Sequence, residues 1–332
     1  MRLPDFEYLE PESLDEALNM LVEHSDRTAI LAGGTDLIDR LNKRLVNPAT
    51  MMSLKNLSEL DYIRRKNGKV LIGSMTPLVS LIDSEVINEN FKALAQAAAL
   101  IGAPSIQHFR GTIGGNLCLQ TRCLYYNQSA MWRSGRKRCH KDHGETCYAE
   151  ENSDRCRSAN QSDGACALMA LGAEIVLIST KGKRKITIEE FFTGKGETPF
   201  ALDQDELVAE IQLSVSKEKH KSSFKKLRYR SAIDFALVSA AAQLKEKEGK
   251  ITEARIVIGG AGASPLFLKE ASEILIGKDV SDSGAIERAA ERVIKHTSAF
   301  MVDNLGSTLE YRRKMSGVMA KQAVKEALER MR

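Results

Sequence analysis

The sequence predicts two small α/β domains followed by an α+β domain, a three-stranded sheet with helices. Short apolar runs alternate with helical patterns as far as about Leu100. The wholly polar stretch at residues 217–223 then precedes a region of strands followed by helices. At 332 residues, the chain exceeds what a single core usually supports. We therefore expect domains at residues 1–56, 57–219 and 220–332.

The first domain has a clear helix start and a clear strand. Ser13 and Glu16 have the spacing of a capping box, which predicts a helix beginning near Leu14. The apolar run at residues 28–31 predicts a strand that ends at a glycine pair. A helical pattern resumes after that pair, and Thr35 and Asp36 are expected to cap it.

The second and third domains are predicted from the same signals. In the second domain, we expect strands near residues 70–73, 174–179 and 206–215 and a helix at residues 90–100. In the third, we expect strands at residues 224–230 and 254–259, with an apolar run at residues 235–244 between them. Ser307 and Glu310 have a second capping-box spacing and predict the start of the final helix.

Composition narrows the class of protein. The 48 basic and 44 acidic residues leave a net charge of +4, too small to indicate a nucleic-acid partner. No run of 18 apolar residues is present, so no membrane segment is expected. The N-terminus carries acidic residues where a signal peptide would be apolar, which predicts a cytoplasmic location.

Two glycine pairs predict close contact between backbone and an anionic ligand. They lie in Leu31-Ala-Gly-Gly-Thr-Asp-Leu37 and in Thr112-Ile-Gly-Gly-Asn116. Glycine lets backbone N–H groups approach a ligand closely, and two such turns could hold one pyrophosphate. Neither matches the dinucleotide or P-loop fingerprints, and each pair taken singly is better explained as a tight turn.

All six cysteines lie between Cys118 and Cys166. In a reducing compartment, clustered thiols indicate metal ligands rather than disulfides. No pair has C-x-x-C spacing, so zinc and an iron–sulfur cluster remain equally open. Cys118 follows the glycine turn and Cys166 lies in an apolar run, so neither is expected to bind metal. The expected ligands are the other four, with His140 and His143 as further zinc candidates: Cys123, Cys139, Cys147 and Cys156.

Four motifs, in chain order, resemble those of a known family. They are Leu31-Ala-Gly-Gly-Thr-Asp-Leu37, Ile72-Gly-Ser-Met-Thr76, Arg110-Gly-Thr-Ile-Gly-Gly-Asn116 and Glu310-Tyr-Arg-Arg313. They resemble the flavin-binding subunit of the xanthine dehydrogenase family of molybdenum hydroxylases, over the whole chain. The resemblance implies a PCMH-type FAD-binding fold in which both glycine turns hold the FAD pyrophosphate and the third domain covers the isoalloxazine ring. It implies these cofactor-binding residues: Leu31, Ala32, Gly33, Gly34, Thr35, Asp36, Leu37, Thr76, Thr112, Gly114, Gly115, Asn116, Asp163 and Lys225.

An insertion at about residues 118–160 separates the second turn from Asp163. It is similar to one subgroup only, the beta subunits of 4-hydroxybenzoyl-CoA reductases, in which four cysteines hold a [4Fe–4S] cluster. The four expected ligands match those positions. The resemblance therefore implies a cytoplasmic electron-transfer subunit without catalytic side chains of its own.

The resemblance also implies partners. Electrons would pass from a ferredoxin-like donor, through the [4Fe–4S] cluster and FAD, to partner subunits that carry [2Fe–2S] centres and the molybdenum cofactor. The expected assembly is a dimer of heterotrimers. Two alternatives stay open: a flavin subunit of another molybdenum hydroxylase that passes electrons outward, and a zinc-stapled protein with no redox role.

Overall fold

The first part of the chain forms a three-stranded parallel sheet with two helices. The computed structural model describes residues 3–24, 27–216, 218–231 and 233–331. The strands pair in the order β1-β3-β2. The elements are β1 (Glu7–Leu9), α1 (Leu14–Glu23), β2 (Thr28–Leu31), α2 (Leu37–Asn42) and β3 (Thr50–Ser53).

Helix α1 begins where the capping box predicts. The Ser13 side chain accepts a hydrogen bond from the Glu16 N–H group at 3.2 Å. The Glu16 carboxylate accepts from the N–H group of Glu12 rather than of Ser13, so the box is closed one residue early. Leu18 and Leu21 are buried on the inner face of this helix, as the spacing of the apolar residues requires.

The second part is built on a five-stranded antiparallel sheet in the order β4-β5-β8-β6-β7. Its strands are β4 (Ile63–Lys66), β5 (Lys69–Gly73), β6 (Glu174–Ser179), β7 (Gly182–Thr187) and β8 (Leu207–Ser214). Its helices are α3 (Leu78–Asp83), α4 (Glu85–Asn90), α5 (Lys92–Leu100), α6 (Gln107–Arg110), α7 (Ile113–Leu117), α8 (Ala130–Ser134), α9 (Asp163–Ala170) and α10 (Ile188–Phe191).

The third part is a four-stranded antiparallel sheet, β12-β11-β10-β9, with three helices. The elements are β9 (Lys219–Leu227), β10 (Val238–Lys247), β11 (Lys250–Gly259), β12 (Leu266–Phe267), α11 (Lys269–Glu273), α12 (Ser283–Thr297) and α13 (Leu309–Glu329). The two-residue strand β12 is additional to the three strands expected. The mixed α/β and α+β fold class is thus confirmed.

Several element boundaries differ from the sequence prediction, and two of the differences have a clear cause. Strand β9 begins at Lys219 rather than Phe224, because its polar residues pair along β10. The final helix is capped by Thr308, whose side chain accepts from the Tyr311 N–H group. Ser307 has a φ of 73°, a left-handed conformation that an N-cap residue does not adopt.

Helix α9 is buried along its whole length between the second and third sheets. Small side chains make this possible. A Cβ at Gly259 on β11 would lie only 3.3 Å from the Cβ of Cys166 on α9, so the strand approaches the helix as closely as backbone permits. In the described ranges, no helix is long and apolar enough to span a bilayer.

The buried side chain of Arg312 links helix α13 to several loops of the third part. Its side chain is fully buried on α13, and burial lowers the pKa of its guanidinium to about 10. The guanidinium donates hydrogen bonds to the carbonyls of Leu237, Val302 and Gly260 at 3.3, 3.0 and 2.8 Å. These carbonyls belong to loops that would otherwise bury unpaired acceptors.

Replacing this guanidinium should therefore cost much of the stability. We expect Arg312→Met to lower the free energy of unfolding by about 3 kcal/mol, because three buried carbonyls lose their donor. Urea unfolding followed by circular dichroism measures the change. The control, Lys314→Met, removes an exposed cation that pairs with Glu310 one turn away, and should unfold like the parent protein. Overlapping curves for the two variants would contradict this role.

Candidate functional site

A cavity of about 460 Å³ lies where the three sheets approach one another. Residues from both glycine turns, from the start of α9 and from β9 line it. Its volume is in the range of small-molecule and cofactor sites. Most of the expected cofactor residues are on its wall: Ala32, Gly33, Gly34, Thr35, Asp36, Leu37, Thr112, Gly114, Gly115, Asn116 and Asp163.

The first glycine turn needs its glycines for two different reasons. A Cβ at Gly33 would overlap the carbonyl oxygen of Arg110, so the first turn packs directly on the chain that enters the second. Gly34 has a φ of 74°, which side chains rarely tolerate. The expected caps of α2 are not formed: Asp36 occupies the N-cap position without a side-chain cap bond and pairs with Arg122 instead.

The second turn starts helix α7. The Thr112 hydroxyl accepts a hydrogen bond from the Gly115 N–H group at 3.1 Å, which caps the helix. A Cβ at Gly114 would lie 2.7 Å from Ser74, and a Cβ at Gly115 would face Ala32 at 3.6 Å. The two turns are thus in contact across the cavity floor.

Asn116 connects the second turn to α9. Its side-chain oxygen accepts hydrogen bonds from the Ser162 hydroxyl at 2.8 Å and from the Gly164 N–H group at 3.1 Å. This places Asp163, at the first position of α9, on the cavity wall.

Three expected residues lie outside the cavity. Thr76 is 1% exposed, and its hydroxyl bonds both the N–H and C=O groups of Tyr62, just before β4. Leu31 ends strand β2, where its carbonyl accepts from the Leu54 N–H group. Lys225 pairs with Glu326 on α13 and does not line this cavity, and its role as a cofactor residue stays a prediction.

Lys226, the next residue on β9, lies on the cavity wall, where the sequence predicts Lys225. Side chains alternate along a strand, so neighbours on β9 face opposite sides. Lys225 faces α13, whereas Lys226 faces the cavity and contacts Asp163 at 2.5 Å. Both members of this pair are almost completely buried, and burial raises the pKa of Asp163 while the Lys226 cation opposes that rise.

Arg122 is a cavity residue that sequence reasoning missed. Its guanidinium pairs with Asp36, lies 4.0 Å from Asp39 and sits 4.9 Å from the centre of the Phe235 ring. Burial lowers the pKa of this guanidinium to about 10. Its position directly before Cys123 could have drawn attention to it, but its partner Asp36 is distant in the chain.

Unpartnered polar atoms on the cavity wall indicate a polar ligand. Ser74 Oγ, Asp163 Oδ1 and both polar atoms of Gln161 are buried without a hydrogen-bond partner, and all three residues line the cavity. Leaving such atoms unpaired costs about 1–3 kcal/mol each. Hydroxyl, carboxylate and amide groups beside two glycine turns fit a ligand with a pyrophosphate, sugar hydroxyls and heteroaromatic rings, as FAD has.

The cysteine segment is joined to the second part through one pair of residues, Arg122 and Ala159, which we call the neck. Arg122 and Ala159 exchange two backbone hydrogen bonds of 2.8 Å, so residues 123–158 form an excursion closed at its base. The Arg133 guanidinium fastens the excursion to the loop after α2, donating to the carbonyl of Arg44 at 2.8 Å. On the other side, the Leu124 N–H group donates to the Asn304 carbonyl.

The four expected ligands are free, half-buried thiols within this excursion. Burial, with smaller contributions from Cys156 and Cys147, raises the pKa of the Cys123 thiol to about 11. Within the described residues, however, no three His, Cys, Asp or Glu side chains form an assembled metal site. The thiol set suits an iron–sulfur centre, but the segment does not hold the thiols in that geometry.

Two histidines and two further cysteines complete the set of candidates. The His140 ring contacts the Ser153 carbonyl at 2.9 Å, and His143 is exposed with a left-handed backbone. Burial raises the pKa values of the Cys118 and Cys166 thiols to about 12, as it also raises that of Cys123 to about 11. Neither Cys118 nor Cys166 was expected to bind metal.

Comparisons with known proteins identify the family. Residues 4–214 match the family described as the FAD binding domain in molybdopterin dehydrogenase, and residues 222–327 match the CO dehydrogenase flavoprotein C-terminal domain.

Individual relatives agree with this match. The FAD-subunit of nicotinate dehydrogenase from Eubacterium barkeri is 30% identical over 83% of this chain and 81% of its own length. The medium chain of glyceraldehyde dehydrogenase from Sulfolobus acidocaldarius is 30% identical over 97% of this chain and 98% of its own.

A solved structure extends the match to the whole fold. A chain of carbon monoxide dehydrogenase from Hydrogenophaga pseudoflava superposes with a TM-score of 0.80 at 25% identity, covering 99% of both chains. The relatives are dehydrogenases, and their names are those of one component of a larger enzyme. The chain therefore belongs to the molybdenum hydroxylase family of oxidoreductases, as an FAD-binding medium subunit.

Proposed function

We propose that this chain is the FAD- and [4Fe–4S]-containing electron-transfer subunit of a molybdenum-dependent 4-hydroxybenzoyl-CoA reductase. In this proposal, it passes electrons from a ferredoxin-like donor, via the cluster and FAD, to partner subunits with [2Fe–2S] centres and molybdenum. The observation that carries the proposal is the excursion at residues 123–158, with four half-buried thiols and a neck on the wall of the flavin cavity.

The flavin cavity supports the FAD part of the proposal residue by residue. The two contacting turns line the cavity, and backbone N–H groups of the first turn can reach the pyrophosphate. In the second turn, the N–H groups of Gly114 and Gly115 already donate to the Ser74 carbonyl and the Thr112 hydroxyl. Arg122, whose side chain is 12% exposed, supplies positive charge beside the first turn. Asp163 and Lys226 form a buried ion pair on the side of the third sheet. FAD itself converts between one-electron and two-electron transfer.

The excursion supports the cluster part. Its turns are fixed independently of any metal: the Cys139 carbonyl accepts from the N–H groups of Asp142 and Gly144, and the Cys123 carbonyl from that of Asn127. Lys141 donates to the Gly196 carbonyl at 2.6 Å and lies near Cys156. Burial raises the pKa of the Cys156 thiol, and the Lys141 cation opposes that rise by favouring the thiolate form that binds iron.

A second candidate function rests on the relatives' names. Those proteins are dehydrogenases of nicotinate, caffeine and carbon monoxide. A flavin subunit of such an enzyme would pass electrons outward to an acceptor. The four-thiol excursion favours the reductase, because a subunit that only passes electrons from flavin to an acceptor has no evident need for a second centre.

The substrate assay separates these two functions. The purified complex, given a chemically reduced ferredoxin and 4-hydroxybenzoyl-CoA, should form benzoyl-CoA and water, with two electrons and two protons consumed per molecule. Chromatography of the thioesters measures the product. A complex that contains FAD, iron and molybdenum but forms no benzoyl-CoA, and instead oxidises a substrate, would support the outward function.

Contact between the glycine turns should be essential for FAD binding. We expect Gly33→Ala to weaken FAD binding on the order of 100-fold, because the added methyl group overlaps the Arg110 carbonyl and forces the turns apart. Quenching of FAD fluorescence measures the dissociation constant. Gly284→Ala, in the first turn of α12, meets only side-chain atoms at 3.3 Å and serves as the control. Equal affinity in both variants would show that the pyrophosphate lies elsewhere.

Iron binding in the cysteine excursion and FAD binding in the cavity should be independent of each other. We expect Cys139→Ser to lose most of its bound iron and its cluster absorbance while keeping FAD, because Cys139 does not line the cavity. Iron and flavin assays on the same sample measure both. Cys166→Ala, which removes a buried thiol from α9, should keep its iron. Unchanged iron in Cys139→Ser, or one zinc ion in the parent protein, would contradict the cluster.

A further inference from the structure

We propose that the carboxamide of Gln161 recognises the pyrimidine edge of the isoalloxazine ring. This inference rests on FAD occupying the cavity, as proposed above. It adds a specific hydrogen-bonding residue for the flavin ring, at a position that neither glycine motif includes.

The first observation is the state of the side chain itself. Gln161 is 4% exposed and lines the cavity, yet neither Nε2 nor Oε1 has a hydrogen-bond partner. Within the described residues, it is the only side chain that buries both an unpartnered donor and an unpartnered acceptor. A buried amide with neither bond made is costly, so a ligand that supplies both is expected there.

The second observation is that the backbone around Gln161 is held rigidly. The Asn160 N–H group donates to the Gly262 carbonyl at 2.8 Å, and the Asn160 carbonyl accepts from the Gly260 N–H group at 3.2 Å. On the other side, the Ser162 hydroxyl caps α9 by accepting from the Ala165 N–H group. The backbone that carries the carboxamide is therefore held between α9 and the turn after β11, which limits the entropy lost on binding.

The third observation is the charge of the neighbouring groups. Asp163 Oδ1 is a further unpartnered acceptor two residues away, and the buried Lys226 cation lies 2.5 Å from Asp163 Oδ2. The pyrimidine edge of a flavin alternates carbonyl acceptors with the N3–H donor, which matches an amide's N–H and C=O groups side by side. The Lys226 cation would also stabilise the negative charge that the isoalloxazine ring gains on reduction. The adenine ring of FAD gains no electrons, so it would not benefit in this way.

Flavin analogues test this assignment directly. In 3-methyl-FAD, a methyl group replaces the N3 hydrogen, so the bond to Gln161 Oε1 cannot form. We expect the flavin-free parent protein to bind FAD on the order of tenfold more tightly than 3-methyl-FAD, since a buried acceptor is left unpaired. In Gln161→Leu, this preference should fall to within about twofold. Gln212→Leu, the same change on β8 outside the cavity, should keep it.

Other outcomes would overturn the assignment. A preference for FAD that persists in Gln161→Leu would show that Gln161 does not face N3. In 1,N6-etheno-FAD the adenine edge is blocked, so loss of discrimination against that analogue in Gln161→Leu would place the adenine at Gln161 instead. A parent protein that binds neither flavin would remove the proposed function itself, which is a different result from either of these.

A second variant keeps the test independent of folding defects. Gln161→Glu preserves the shape of the side chain but adds negative charge. We expect it to retain FAD with a lower flavin reduction potential than the parent protein, because a carboxylate beside the ring opposes electron uptake. Spectroscopic titration with a reference dye measures the potential. An unchanged potential with FAD bound would contradict contact between Gln161 and the ring.

Discussion

Direct contact between the two glycine turns is the constraint on which the rest of the site depends. Gly33 packs on the Arg110 carbonyl, and Gly114 packs on Ser74, with no room for a side chain at either place. Because these turns join the first parallel sheet to the second sheet, their contact defines the floor of the cavity. Asn116, directly after the second turn, accepts hydrogen bonds from residues at the start of α9. The second turn therefore also positions α9, which forms another wall of the cavity.

The cysteine excursion is built onto this arrangement without disturbing it. Its neck is one backbone pair, Arg122 with Ala159, and the Arg122 side chain reaches back to Asp36 at the first turn. The base of the excursion thus contributes to the cavity that is proposed to hold FAD. Under the proposed function, this attachment would connect the cluster-bearing segment directly to the flavin site.

Local sequence patterns predicted what depends on near neighbours. The start of α1 at Ser13 and the strand at residues 28–31 follow from capping and apolar runs, and the glycine turns were identified by their composition. Patterns could not show which side chains have distant partners. Lys226 rather than Lys225 lines the cavity because α13 covers the other face of β9, and the Thr76 hydroxyl bonds the backbone of Tyr62, just before β4. Arg122 and Gln161 have no local signature, since their importance lies in Asp36 and in unpaired amide atoms.

Spectroscopy of the purified protein tests the central claim most directly, which is that an organic two-electron carrier and an iron–sulfur centre share this chain. An absorption spectrum and an EPR spectrum would be recorded before and after reduction, with the iron content determined on the same sample. The account predicts flavin bands that bleach on reduction, broad iron–sulfur absorbance, and an EPR signal from a reduced cluster at one per chain. Flavin bands alone, with no iron and no signal beyond a flavin radical, would contradict it.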